Sequence, residues 1–161
     1  SNLKLGSGIA PVAAMRSRGI PVSLGADGAA CNNLLDMFAE MRLAATLQAV
    51  LRGPGSLTAR DVLTMATRDG ARALGLQDEI GSIEPGKRAD LIVVDRDRAH
   101  LAPAPDPFSA IVYSARATDV RTTIVDGDVL VDDFCLVRDD VDAIRDEARR
   151  QADELVARAF R

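Results

Sequence analysis

Apolar residues recur at two different periods along this chain, and the change of period divides it. Between Leu34 and Leu51, residues Leu35, Phe38, Met41, Ala45 and the Leu47–Gln48 step fall near 3.6-residue spacing, which predicts a helix with one apolar face. The run RGPGSL ends it. Thr58 is then an expected N-cap, with Asp61 three residues on as a capping-box variant, for a helix through TARDVLTMATRDGARAL that Gly75 stops. Before these, residues 1–10 read as a Gly/Ser loop, and Pro11 opens a short helix, PVAAMRSR, that Gly19 terminates. The run IPVSLGA is too short and too apolar for an amphipathic helix and reads as a buried strand, the type found in parallel sheets. Loop, helix, strand and polar loop in that order predict a β/α architecture.

From residue 79 the texture changes. A turn signal, EPGK, separates two short apolar runs, and Leu91 to Val94 predict a strand that ends at Asp95. A link follows in which Pro103, Pro105 and Pro107 alternate with other residues, so it is expected to be extended and outside any central strand. VRTTIV and DVLVDD around Asp126–Gly127 predict a hairpin. In the tail, Val141, Ile144, Ala148, Ala152, Leu155 and Ala159 make one narrow apolar stripe, a surface helix capped by Asp139 or Asp140 with its charges solvated. The chain therefore divides into residues 1–78, a β-rich unit over 79–138, and a terminal helix over 139–161.

Composition narrows the classes. The chain has 161 residues, 47% of them hydrophobic, and a net charge of −4. That supports a packed core and argues against a nucleic-acid partner, which calls for a basic patch. No apolar run reaches membrane-span length and no leader pattern opens the chain. Two cysteines, Cys31 and Cys135, form no CxxC, which suits a reducing cytoplasm. The single histidine, His100, lies in a loop-like stretch far from Asp27. A catalytic zinc takes about three protein ligands, so His100 reads as structural or incidental.

Asp27 is the main candidate for chemistry. It ends the apolar run IPVSLGA and precedes small residues that allow a ligand to approach. It is either a turn or capping aspartate, or a carboxylate that binds a metal or handles the proton of a metal-bound water. Ser1, Asn2 and Gly6–Ser7–Gly8 are hydrogen-bonding candidates for a polar ligand, though a flexible loop has the same composition. Asn32, Asn33 and Asp36 precede a helix, where N-capping is their simplest role. Cys31 has no histidine near it to activate it and reads as a small buried thiol. Lys87 and Arg88 read as surface charges that hold their turn in water. The H-x-E and P-C-x-x-C of cytidine-type deaminases, the P-loop and the G-x-S-x-G elbow are all missing.

Three stretches, SNLKLGSGIAPV, GADGAACNNLLDMFAEMRLAATLQ and GSIEPGKRADLIVVD, together resemble the C-terminal third of metal-dependent amidohydrolases. They are most similar to the branch that holds 5-methylthioadenosine/S-adenosylhomocysteine deaminases, guanine deaminase-like enzymes and triazine chlorohydrolases. The resemblance runs from residue 1 to about residue 138. It implies an α/β fold: the last unit or units of a (β/α)8 TIM barrel, the C-terminal part of a small β-sandwich domain, and a terminal helix. It implies one divalent metal in the complete enzyme, zinc or sometimes iron. IPVSLGAD then matches the eighth barrel strand, and Asp27 the aspartate that approaches the metal and moves the proton of its water. SNLKLGSG matches the loop after strand seven, which makes Ser1 and Asn2, with Asn32, the expected substrate contacts.

The implied reaction is hydrolysis of a C–N bond in an aminated purine nucleoside or related heterocycle. Dechlorination by a triazine-type hydrolase is the alternative within the branch, and a non-catalytic interaction module the alternative outside it. The family's HxH pair and its later histidines and glutamate are not in this sequence. The chain is accordingly expected to be a C-terminal segment, inactive alone, whose partners are a heterocyclic amine substrate, the N-terminal part of the same enzyme and further copies of itself.

Overall fold

Prolines and glycines mark the first borders in the computed structural model, which describes residues 1–159. Helix α1 (Asn2–Leu5) is one exposed turn closed by Gly6 at φ 68°, so the loop expected over residues 1–10 contains a helical turn. Helix α2 (Val12–Ser17) follows Pro11, and Gly19 at φ 74° turns the chain back. Ile20–Ala26 is extended but pairs with no strand among the described residues. Its burial alternates: Val22, Leu24 and Ala26 turn inward while Pro21, Ser23 and Gly25 are exposed. The strand expected to be buried on both faces is here a run covered on one face, and no strand among the described residues lies beside it to take its hydrogen bonds.

Helix α3 (Met37–Arg52) begins later than the pattern predicts. The Asp36 carboxylate accepts from the Phe38 and Ala39 N–H groups and caps it. Phe38, Met41, Ala45 and Gln48 form its buried face. The helix expected from Thr58 to Leu74 is two. Helix α4 (Ala59–Ala66) opens on the Thr58/Asp61 capping box, and α5 (Arg68–Ala73) follows a break at Thr67. There the Thr67 hydroxyl donates to the Leu63 carbonyl at 2.7 Å, a side-chain bond that competes with the helical ladder.

Four antiparallel strands form one sheet in sequence order: β1 (Leu91–Val94), β2 (Val120–Val125), β3 (Asp128–Asp132) and β4 (Cys135–Leu136). Asp126 and Gly127, both at positive φ, make the expected two-residue turn. A second such turn, Asp133–Phe134, joins β3 to β4. It was not readable in advance, since Phe134 is no turn former; its ring lies 4.8 Å from the Arg98 guanidinium.

The proline link is the largest departure. Instead of an extended connection, residues 99–119 are a string of helical turns: Ala99–Leu101, α6 (Pro107–Ser109) running into a π-helical turn Ala110–Ser114, and Ala117–Asp119. Asp106 caps α6 and Pro107 takes its first position, where no N–H is needed. Leu101, Val112 and Ala115 are thereby buried with Phe38, Met41, Ala45, Leu57, Val62 and Met65 in one cluster. The apolar faces of α3 and α4 need a cover, and this segment supplies it. Helix α7 (Val141–Ala159) is exposed throughout, capped by Asp140. Among the described residues no helix is long and apolar enough to cross a membrane.

His100 belongs to this packing. Its Nε2 lies 2.8 Å from Oδ2 of Asp119, which is 3% exposed and also accepts from the Arg116 N–H at 2.9 Å. Burial pushes the Asp119 carboxyl up, but His100, the Arg116 N–H and the nearby Arg98 outweigh it and hold it below the ordinary aspartate value. A carboxyl lowered by folding stabilises the folded state above its unfolded value and loses that contribution as pH falls through its folded value. Urea midpoints are therefore expected to drop as pH falls below about 4, and Asp119→Asn to flatten that drop. An unchanged slope in the variant would remove Asp119 from the account.

Candidate functional site

Asp27 stands where the extended run ends. Val22 and Leu24 anchor that run on the core, and the Ser1 hydroxyl donates to the Ala26 carbonyl at 3.1 Å. Asp27 itself is exposed, at φ 63°, with Oδ1 accepting the Gly28 N–H at 2.7 Å. A non-glycine residue in the left-handed region is uncommon, though aspartate tolerates it better than most.

Ser1, Asn2 and Asp27 line one cleft of about 220 Å³, with Leu24, Glu40 and Gln48 among its other walls. The fourth candidate, Asn32, is not in this lining. It is 8% exposed, and its amide is engaged within the protein: Nδ2 donates to Glu40 Oε1 at 2.6 Å, and Oδ1 accepts from the Leu34 and Leu35 N–H groups at 3.1 and 3.2 Å. Lys4 on α1 reaches the same loop, donating to Asn33 Oδ1 at 2.6 Å and the Ala30 carbonyl at 3.3 Å. Cys31 is a half-buried free thiol outside the cleft lining.

Glu40 escaped the sequence reading, and Gln48 entered it only within the apolar repeat of α3. Gln48 is 2% exposed and joins α3 to the start of α2, its Nε2 donating to the Ala10 carbonyl and its Oε1 accepting the Ala13 N–H. The signal was present: Glu40, Ala44 and Gln48 lie four apart, one side of α3, and two of the three are polar beside an apolar stripe. Lys87 is also more than a surface charge. Its ammonium donates to the Gln77 carbonyl and the Ser82 hydroxyl, with a side chain 15% exposed, so it fastens the EPGK turn to the residues after α5.

Among the described residues no group of three His, Cys, Asp or Glu side chains is placed to hold a metal ion. A catalytic zinc takes about three protein donors, and the cleft offers Asp27 with Glu40, the latter already hydrogen-bonded by Asn32. The described residues do not by themselves fit a metal shell.

The amidohydrolase family model matches residues 1–130. The 5'-deoxyadenosine deaminase of Methanosarcina acetivorans is 53% identical over 160 residues, 99% of this chain and 37% of that protein. The 5-methylthioadenosine/S-adenosylhomocysteine deaminase of Acetivibrio thermocellus is 53% identical over 133 residues, 82% of this chain and 31% of that one. Among solved structures, a zinc-bound adenosine deaminase from Xanthomonas campestris superposes with a TM-score of 0.93 at 38% identity, covering 97% of this chain and 36% of that one. A zinc-complexed atrazine chlorohydrolase from Arthrobacter aurescens gives 0.83 at 30% identity, covering 92% and 33%. The chain thus spans about a third of the length of the curated relatives it matches.

Proposed function

This chain belongs to the amidohydrolase family, and we propose that its residues form part of the active site of a deaminase of adenosine-like nucleosides. One observation carries the reading: 53% identity to a 5'-deoxyadenosine deaminase over 99% of the chain. The shared cleft of Ser1, Asn2 and Asp27 agrees with it. The chlorohydrolase alternative rests on 30% identity to the atrazine enzyme and is the weaker of the two.

In this reading residues 1–78 are the end of a barrel, 79–138 contribute strands to a β-sandwich, and the antiparallel sheet β1–β4 supports the second assignment. Asp27, at the end of an extended run and open to the cleft, takes a proton from the attacking water and returns it to the departing amino nitrogen. The C–O bond forms, the C–N bond breaks and ammonia leaves. A carboxylate suits both halves of this transfer because it accepts and donates at one position. Ser1 and Asn2 meet the polar edge of the nucleoside. The solved relatives contain zinc; Asp27 is the oxygen donor this chain would offer such an ion.

A chimera tests the proposal. This chain replaces the matching C-terminal segment of the Methanosarcina acetivorans deaminase, and the product is loaded with zinc. Release of ammonia from 5'-deoxyadenosine, without chloride from a chlorotriazine, is the expected result. A folded, zinc-loaded chimera that liberates only chloride, or neither product, would overturn it.

A further inference from the structure

We infer that Asn32 and Glu40 form a clasp that positions the Asp27 carboxylate, and that Asn32 acts through Asp27 rather than on the substrate. The inference rests on the role proposed for Asp27. Between the extended run and α3, residues 27–36 have no regular secondary structure. The segment begins and ends near residues held at positive φ, Asp27 at 63° and Leu35 at 47°. For leucine especially, that conformation persists only where the surroundings over-determine it.

Asn32 is what over-determines it. Its own N–H donates to the Gly28 carbonyl at 2.9 Å, one residue after Asp27, and so does the N–H of Cys31. Its Oδ1 accepts the Leu34 and Leu35 N–H groups at the other end. Its Nδ2 then donates to Glu40 at 2.6 Å, which fixes the whole loop to α3. The bonds to Leu34, Leu35 and Glu40 are made in the plane of one amide, through its oxygen and its nitrogen, and the asparagine is 8% exposed. Glu40 is itself held in place by its helix, whose cap at Asp36 lies one turn earlier. The side chain that sequence placed in the substrate pocket is thereby turned into the loop, and it acts on the Asp27 carboxylate through the backbone turn at Gly28. Loss of such a support displaces a catalytic group without removing it, which lowers the rate of the chemical step more than binding.

Two measurements test the clasp. In the 161-residue chain, amide hydrogen exchange of Asn32→Ala is expected to quicken at Leu34 and Leu35 by about tenfold, the scale of one lost hydrogen bond, and to quicken as well at Gly28, whose N–H donates to the Asp27 carboxylate. Glu40→Ala should quicken Gly28 likewise, and Glu40→Gln, whose amide oxygen still accepts from Asn32, should restore most of the protection. Faster exchange confined to Leu34 and Leu35 would overturn the proposal, since Asn32 would then serve only its own turn.

In the active chimera, Asn32→Ala and Glu40→Ala should each lower kcat by about 10- to 100-fold, as for residues that orient a catalytic group. KM should stay within about threefold, and the double variant should be no worse than either single one, as expected for partners in one unit. A raised KM with kcat preserved would make Asn32 a substrate contact and overturn the clasp. If the unaltered chimera does not deaminate, the proposed function fails instead, and the exchange measurement still decides the clasp.

Discussion

Asp27→Asn in the chimeric deaminase is expected to lower kcat by about 10³-fold, within the range that general acid–base groups contribute. The substitution is nearly isosteric. An amide oxygen at the same position still accepts the Gly28 N–H that Oδ1 accepts at 2.7 Å. Asparagine also tolerates the left-handed backbone found here, φ 63°. Because Asp27 is exposed, stability should change by no more than about 0.5 kcal/mol. What the amide lacks is a basic lone pair able to take a proton from water and return it. Thermal melting beside the kinetics separates the two effects. Activity retained within about threefold would show that the carboxylate does not carry the proton and would remove the reason for its placement in the cleft.

The largest stability effect should come from Met65→Ala, at about 2–5 kcal/mol in urea unfolding of the 161-residue chain. Met65 is fully buried in the cluster where α3, α4 and the π-helical turn meet. Truncation removes its transfer energy and leaves a space that surrounding helices fill only partly. A loss of this size is a large share of the roughly 5–15 kcal/mol that holds a domain folded. Val50, 82% exposed on α3, is the control, and its change to alanine should fall within about 0.5 kcal/mol. Val112→Ala probes the corrected link: its side chain is 0% exposed, so the two lost methyl-sized groups should cost about 1.6 kcal/mol before any cavity is counted. A Met65→Ala effect as small as that of Val50 would mean the cluster is not the core of the folded chain.

Those two positions also show where reading the sequence stops. The apolar stripe of α3 was legible because Phe38, Met41 and Ala45 repeat at the helical period, and that period is a local property. The Thr58–Asp61 box and the Asp126–Gly127 turn were legible for the same reason: each is closed by atoms within four residues. The stretch 99–119 was not. Pro103, Pro105 and Pro107 constrain their own φ and the residues before them, and nothing local says that Leu101 and Val112 will join the cluster of Phe38, Met41 and Met65. Asn32 and Glu40 mark the same limit inside the site. Both are polar and eight residues apart, and spacing does not tell which one faces a cleft and which one braces it.

By itself, then, the sequence determined the Thr58–Asp61 cap, the Asp126–Gly127 turn, the facing of α3, and the position of Asp27 at the end of an apolar run, because each depends on hydrogen bonds and periodicities spanning a few residues. Tertiary structure alone decided that Ser1, Asn2 and Asp27 share a wall, that the proline link becomes part of the core, and that Asn32 turns inward to Glu40. Those outcomes depend on covering apolar surface with residues distant in the chain and on pairing buried polar groups. Both are contacts between segments far apart in sequence, which no local pattern records.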